Sequence, residues 1–543
     1  MTGIEADIGT SRSGLRSLLG RLRPTRLWIL SFLGFFLLTS AWSLAMPYDG
    51  PPDELQHTVR AYAVVTGQIV PKDLTHPLAR VPESLVPHGI ATSSGCFRWH
   101  TEIPASCAGS PGAEPGSEHH FILQDSGSGT YNPIYYFLAG LPIRFWPNFG
   151  GVMAARFLTG AMMSAFFACA LAMAGRLRHG RWLTAGVIVA ITPVAINLGG
   201  GVNPAGPEIA AGVALWAALI AMVDAEEVSP GLVALAGVAT SGLAVFRGFG
   251  LGLLAAIGLF AVLGLRRGRV MELLRNRSIQ IWGAIAAVFV LFGLVWQRTV
   301  NTIIPAKPSA DVSTIHVVTA ELWDRLTYYS NGMVGLTSYG DVTLPGIAYV
   351  VWYAAAGVVI VGALVFCSWR TRLRIGGIIA ASYVILTVPD IDAVRHGWWL
   401  SQGRYMLPLI AGAPMLGAYH LGKEGVFDGH RIGQLIRAMA VVLLPLQLLA
   451  LALTMIRFQS GNPGGAPIHL NPFTGSWLPA VGPVVPILLC IAGIFVMGWN
   501  CFRIAGQPAT PSGDGAPYPD PETAVPVAAS TQAGMPSPAT LTN

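Results

Sequence analysis

Charge is scarce in this chain. Of 543 residues, 33 are Lys or Arg and 27 are Asp or Glu, 11 per cent in all, less than half of the roughly 25 per cent usual in soluble domains. That excludes an ordinary water-soluble fold with a charged surface. Cysteine is scarce too: the six residues show no CxxC spacing and no His/Cys cluster, so nothing signals a structural zinc site. Also missing is a glycine loop carried on a strand, since "GFGLG" (248–252) has no strand before it and offers no Rossmann-type nucleotide site. The net charge of +6 sits mostly in short basic clusters between apolar runs. There it serves topology and anionic lipid heads, and it argues nothing about nucleic acid.

What the chain has in quantity is apolar sequence, 53 per cent by composition, with a mean hydropathy of +0.56. A run of about 20 such residues crosses a bilayer as a helix, because lipid satisfies no backbone polar group and the helix must satisfy its own. We read an all-α polytopic membrane protein with twelve spans: 28–46, 149–173, 182–200, 206–223, 230–246, 248–265, 280–297, 344–366, 375–390, 405–422, 433–455 and 480–499. The fifth and sixth are the weakest pair, since "VFRGFG" (245–250) also reads as a re-entrant turn.

Arg12, Arg16, Arg21, Arg23 and Arg26 precede the first span. "GRLRHGR" (175–181), "LRRGR" (265–269) and "SWRTRLR" (368–374) fall between later ones. The positive-inside rule then puts both termini in the cytoplasm of a multi-pass protein of the inner (plasma) membrane. The expected division is a basic cytoplasmic N-terminus over 1–27, a transmembrane domain over 28–500 with extracytoplasmic loops 47–148 and 298–343, and a disordered cytoplasmic tail over 501–543. That tail is rich in Pro, Ala, Gly, Ser and Thr and has too little to bury.

The first large loop opens with "MPYDGPPDELQHTVRAYAVVTGQ" (46–68), which carries Asp49, Asp53, Glu54 and His57. Pro51 and Pro52 stiffen the turn, Asp53 is placed to cap the helix that follows, and Glu54 and His57 share a face. The plain reading is a helix cap with a first-turn dipole partner. The functional reading makes the carboxylates catalytic, with His57 orienting one of them. Company favours the second: Tyr131, Asn132, Asn203, Glu208, Arg247, Asp341, Arg395, His396, Arg404 and Tyr405 also fall at outer ends of spans. An ionised group there is costly unless it is paired or faces a hydrated cavity. Arg404 and, less directly, Arg247 and Arg395 suit a phosphate, since the guanidinium fork donates in pairs. Tyr131, Tyr135, Tyr136, Trp398 and Trp399 read as sugar-stacking aromatics or as an interfacial belt.

Cys96 and Cys107 lie together in the outer loop, where a disulfide is expected. In "STIHVVTAELWDRLTYYSNGMV" (313–334), Ile315, Val318, Leu322, Leu326 and Tyr329 recur at helical spacing beside Trp323 and Tyr328. That pattern predicts an amphipathic helix lying at the interface.

Five motifs in order, "PPDELQH", "YNPIYY" (131–136), "GVNPAGPEIAAG" (201–212), "YGDVTLP" (339–345) and "SQGRYMLPL" (401–409), resemble the DUF2142 family of bacterial membrane proteins over roughly residues 28–500. That family is similar in architecture to the GT-C superfamily of polyprenyl-phosphate-sugar-dependent glycosyltransferases. The family more often reads "PPDEPAH"; here Leu55 and Gln56 precede His57, so the histidine is kept and the proline is not. The resemblance implies sugar transfer from a polyprenyl-phosphate donor to an envelope polysaccharide or glycolipid. It places the base or metal-ligand role on Asp53 or Glu54. No cofactor is certain, and a divalent cation, Mg or Mn, would fall on those two residues. A transporter or flippase of lipid-linked glycans and a non-catalytic envelope-assembly protein are the alternatives. The first would need a polar track through the inner half of the spans; the second would need no carboxylate pair beside a basic site.

Overall fold

The computed structural model describes residues 24–70, 83–91, 95–109, 116–117, 119–175, 177, 179–225, 227–300, 311–463, 467 and 469–507. Most of the basic N-terminus and of the C-terminal tail lies outside the described residues.

Helix α1 (Pro24–Ala45) is apolar on every side, as a helix sunk in a bundle must be. The next segment holds α2 (Glu54–Val65), a hairpin of β1 (Glu83–Pro87) with β2 (Phe121–Asp125), and α3 (Pro133–Phe145). The strands pair antiparallel, Glu83 opposite Asp125 and Pro87 opposite Phe121. The fold is all-α, as expected, and this two-stranded ribbon gives the first large loop structure of its own. Cys96 and Cys107 are joined, their Cα atoms 6.2 Å apart, within the range a disulfide spans.

The bundle continues through α4 (Phe149–Ala174), α5 (Gly180–Ala190), α6 (Pro193–Gly199), α7 (Ala205–Asp224), α8 (Pro230–Phe246), α9 (Gly250–Val262), α10 (Arg267–Arg275) and α11 (Arg277–Thr299). After α12 (Thr314–Trp323) and α13 (Leu326–Val334) come α14 (Gly346–Phe366), α15 (Trp369–Arg395), α16 (Gly412–Lys423), α17 (Gly429–Leu443), α18 (Pro445–Ser460) and α19 (Val484–Ala505).

Among the described residues eight helices are long and apolar enough to cross a membrane, or up to ten if each bent pair counts as one span. The protein is a multi-pass membrane protein. The sequence-based count of twelve is not reached, for identifiable reasons. α5 and α6 meet at 72°, because Pro193 cannot continue a helix and holds Thr192 extended, where its hydroxyl caps Ala195. α9 and α10 meet at 120°. α8 has only 17 residues, and the expected span 405–422 is divided into Gly403–Met406, Leu407–Ile410 and α16.

The centre of the bundle is α7, with 89% of its apolar window buried, whereas α11, at 11%, lies on the rim. The basic loops gather at one end. Leu27 of α1 lies against Gly175 there, Arg181 donates to the carbonyls of Gly429 and Gln507, and Arg269 donates to those of Met222 and Ala225. The opposite end carries the PPDE turn and the breaks before α7, α9 and α16. The expected amphipathic helix is two helices, and its apolar stripe points outward: Ile315 is 77% and Trp323 83% exposed, while Val317 and Glu321 face in. Tyr329 departs from the stripe and is buried.

Candidate active site

The turn after α1 holds two aspartates in left-handed backbone geometry, Asp49 at φ 58° and Asp53 at φ 60°. Each costs about 1 kcal/mol, and such outliers concentrate at functional sites. The expected cap is not made, since the Asp53 side chain accepts no bond from α2. Asp49 does that work. Its Oδ1 accepts from the backbone N–H of Leu55 at 3.1 Å and from the Tyr339 hydroxyl at 2.6 Å, and its Oδ2 pairs with Arg98 Nε at 3.3 Å. Burial pushes the Asp49 carboxyl up, against the pull of Arg98. Asn203 braces the turn from the segment before α7, donating from Nδ2 to the Pro52 carbonyl at 2.9 Å while its Oδ1 accepts from Ala205 N–H at 2.9 Å.

Glu54 points the other way, into the bundle, and is fully buried. Arg156 of α4 grips it with Nε at 2.7 Å and Nη2 at 2.5 Å, and the backbone N–H groups of Asp49 and Val202 add bonds of 3.0 and 3.1 Å. Four donors match the roughly four acceptor sites of a carboxylate. The remaining donors of Arg156 go to the carbonyls of Ser43, Met46 and Pro47. The geometry thus corrects the catalytic reading of Glu54: with its lone pairs spent and no opening to solvent, it is placed as a staple and not as a base or metal ligand.

Freed from capping, the Asp53 side chain stays 48% exposed and faces a cavity of about 370 Å³. His57, Tyr131, Asn203, Arg247, Arg404 and Tyr405 line the same cavity. Arg404 Nη2 stands 3.3 Å from Asp53 Oδ2, and its buried Nε has no hydrogen-bond partner among the described residues. The Arg247 guanidinium lies 4.3 Å from the centre of the Tyr405 ring and pairs with Glu208 at 3.4 Å. His57 Nδ1 is 2.8 Å from the Tyr136 hydroxyl. Burial, reinforced by Arg247 and Arg404, holds the histidine well below its usual range, so the ring is neutral.

The far wall is Trp398, Trp399, Leu400 and Gln402. Asp390 fixes it, accepting from the N–H groups of Leu400 at 2.8 Å and Ser401 at 2.9 Å. The Tyr329 hydroxyl lies 2.6 Å from Glu321 and 3.0 Å from Asp390. Burial and the hydrogen bond with Asp390 push the Glu321 carboxyl up to about 7. A second cavity of about 350 Å³ shares Tyr131 and Arg247 with the first and reaches Trp296 and Gln297 of the rim helix α11.

Other expected site residues fall elsewhere. Asn132 caps α3 and lines the second cavity. Asp341 accepts from Arg457 at 2.9 Å, and Arg457 also binds the carbonyls of Phe97, His100 and Ile103 around the disulfide. Arg395 bonds to Val312 and Thr314, away from the cavity. Tyr135 and Tyr136 are wholly buried, so of the five expected stacking aromatics Tyr131, Trp398 and Trp399 line the cavity, joined there by Tyr405. Gln56 of α2 and the loop residues Ser128 and Gln402 also line the cavity; as uncharged polar residues they carry no signal in the sequence.

Among the described residues no three His, Cys, Asp or Glu side chains cluster to hold a metal ion. The lining holds one carboxylate, Asp53, already paired with Arg404, and a second guanidinium, Arg247, a donor set that does not fit a divalent cation.

A family model described as "Predicted membrane protein (DUF2142)" matches residues 36–413, more than half of the chain. This chain belongs to the DUF2142 family. The match spans the whole cavity lining of this DUF2142 protein, from the PPDE turn to Tyr405. No curated protein matches it. Two crystal structures of ArnT from Cupriavidus metallidurans are similar to it. The apo structure has a TM-score of 0.42 at 12% identity, covering 88% of this chain and 76% of ArnT. The structure bound to undecaprenyl phosphate has a TM-score of 0.39 at 13% identity, covering 88% and 77%. Likeness at that level carries no argument about the chemistry of this DUF2142 protein.

Proposed function

We propose that this protein is a glycosyltransferase that moves a sugar from a polyprenyl-phosphate donor to a hydroxyl of an envelope glycan or glycolipid. The observation that carries the reading is the pairing, in one cavity, of a half-exposed Asp53 carboxylate with a buried arginine whose Nε is unspent. A carboxylate so placed accepts a proton; guanidiniums so placed hold a phosphate as charge develops on it.

The donor phosphate takes Arg404 in a two-point grip, with Arg247 as the second cation, and draws Arg404 away from Asp53. Asp53 accepts the proton of the acceptor hydroxyl as its oxygen bonds to the anomeric carbon. The bond from that carbon to the phosphate oxygen breaks, and the electron pair leaves with the polyprenyl phosphate. His57, neutral and held by Tyr136, orients the acceptor, and Trp398 and Trp399 offer faces for a sugar ring. The second cavity, open toward the rim helix α11, suits the isoprenoid.

By the positive-inside rule the cavity faces outward, with both termini inside. A cysteine placed at Leu123, exposed on β2, should be labelled on intact cells, and labelling only after lysis would reverse this topology. The function is tested by purified protein given a panel of polyprenyl-phosphate sugars. Transfer or donor-dependent release of polyprenyl phosphate is expected with at least one. Failure of every donor to bind or to turn over would remove the reading.

A further inference from the structure

A third cavity, of about 120 Å³, lies at the basic end of the bundle. Its walls come from the end of α7 (Trp216, Val223), Gly264 after α9, the start of α15 (Arg374) and the end of α16 (His420, Lys423). At about 30 Å³ per water the space equals roughly four waters, the scale of one phosphate group.

Arg374 is the unusual wall. It is only 8% exposed, and its Nε donates to the Phe260 carbonyl at 2.8 Å. Its two terminal nitrogens make no hydrogen bond or ion pair among the described residues, and no carboxylate lines the cavity. A guanidinium this nearly buried, with no counter-charge among the described residues, is costly. Lys423 on the same walls adds to the positive field, and His420 lines it too. An anion relieves Arg374, and the arginine fork is shaped for phosphate oxygens. Beside the cavity, Leu259, Val262 and Leu263 of the α9 end turn outward, offering an apolar surface on which an acyl chain can lie. Basic pockets between helices at a membrane face take acidic lipid heads.

We propose that this cavity is an anion site for a phosphate group, carried by the head of an anionic phospholipid or present as free phosphate. The site is independent of the transfer reaction, at the opposite end of α7 from Asp53.

The test uses the full chain, delipidated in neutral detergent, with melting temperature titrated against phosphatidylglycerol, phosphatidylcholine and inorganic phosphate. Phosphatidylglycerol should raise the melting temperature and phosphatidylcholine should not. Arg374→Gln should raise the half-saturating concentration roughly tenfold or more, as expected for loss of charge-assisted bonds. Lys423→Gln should raise it by a smaller factor, which keeps the test open if the Arg374 variant does not fold. Arg372→Gln, whose guanidinium is engaged by the carbonyls of Val365 and Cys367, should respond like the wild type. A response to inorganic phosphate of equal size assigns the site to free phosphate. An unchanged response in both the Arg374 and Lys423 variants, or no response of the wild type to either anion, overturns the proposal.

Discussion

Two arginine–carboxylate pairs begin in one dipeptide and differ in almost everything else. Glu54 meets Arg156 at 2.5 and 2.7 Å with neither side chain exposed, and every donor of the guanidinium is engaged. Asp53 meets Arg404 at a single 3.3 Å contact, half open to the cavity, and a donor of the guanidinium stays unspent. The first pair is saturated and joins α1, α2, α4 and the segment before α7 into one piece. The second is under-satisfied and rests on that piece. The openness of Asp53 follows from what the neighbouring pair leaves over: sealing Glu54 fixes the backbone that turns Asp53 outward.

Breaking the sealed pair should have the largest effect. Glu54→Gln leaves Arg156 buried without its counter-charge, at a cost of roughly 3–5 kcal/mol. The variant should melt many degrees lower or fail to accumulate, by thermal unfolding in detergent. A melting curve like that of the wild type would show that Arg156 is satisfied by carbonyls alone.

Loosening the open pair should spare the fold and weaken the donor. Arg404→Ala should lose roughly 1.5–3 kcal/mol of donor binding, the worth of a charge-assisted contact, with Arg404→Lys recovering only part of it because a point charge replaces a fork. Direct titration of the donor in nanodiscs reads both. Unchanged affinity in the Ala variant would reduce Arg404 to a snorkelling side chain.

The smallest effect belongs to the wall behind Asp53. The Glu321 carboxyl is raised from 4.5 to about 7, so its contribution to stability is full below about 4.5 and is lost as pH rises through about 7. The melting temperature of the wild type should therefore decline over that window more steeply than that of Glu321→Gln. Parallel curves would mean that the Glu321–Tyr329–Asp390 cluster is not held by a shared proton.

Much of this was legible in the sequence, and unevenly. Polar residues at the ends of apolar runs brought Asp53, His57, Asn203, Arg247, Arg404 and Tyr405 to one place, because charge near lipid is tolerated only where it is paired or hydrated. The two roles within the dipeptide were not legible. A capping pattern in sequence assumes ordinary backbone at the cap, and Asp53 sits at φ 60°, which hands the cap to Asp49. Arg156, alone inside an apolar run, was the available sign that some acid must be buried opposite it. Span counting read length and apolarity and was blind to breaks such as Thr192–Pro193, where one proline turns the chain by 72°.

In the proposed reaction Asp53 is the reactive carboxylate, and its side chain carries little of the fold. Transfer rate and melting temperature of Asp53→Asn, measured on the same preparation, test it most directly. The side chain makes no capping bond, so the variant should melt within about 1 kcal/mol of wild type, the scale of one exposed ion pair. Transfer should fall by a factor of order 10² or more, since the amide accepts no proton. Near-normal transfer, or a loss of stability as large as that of Glu54→Gln, would contradict the account.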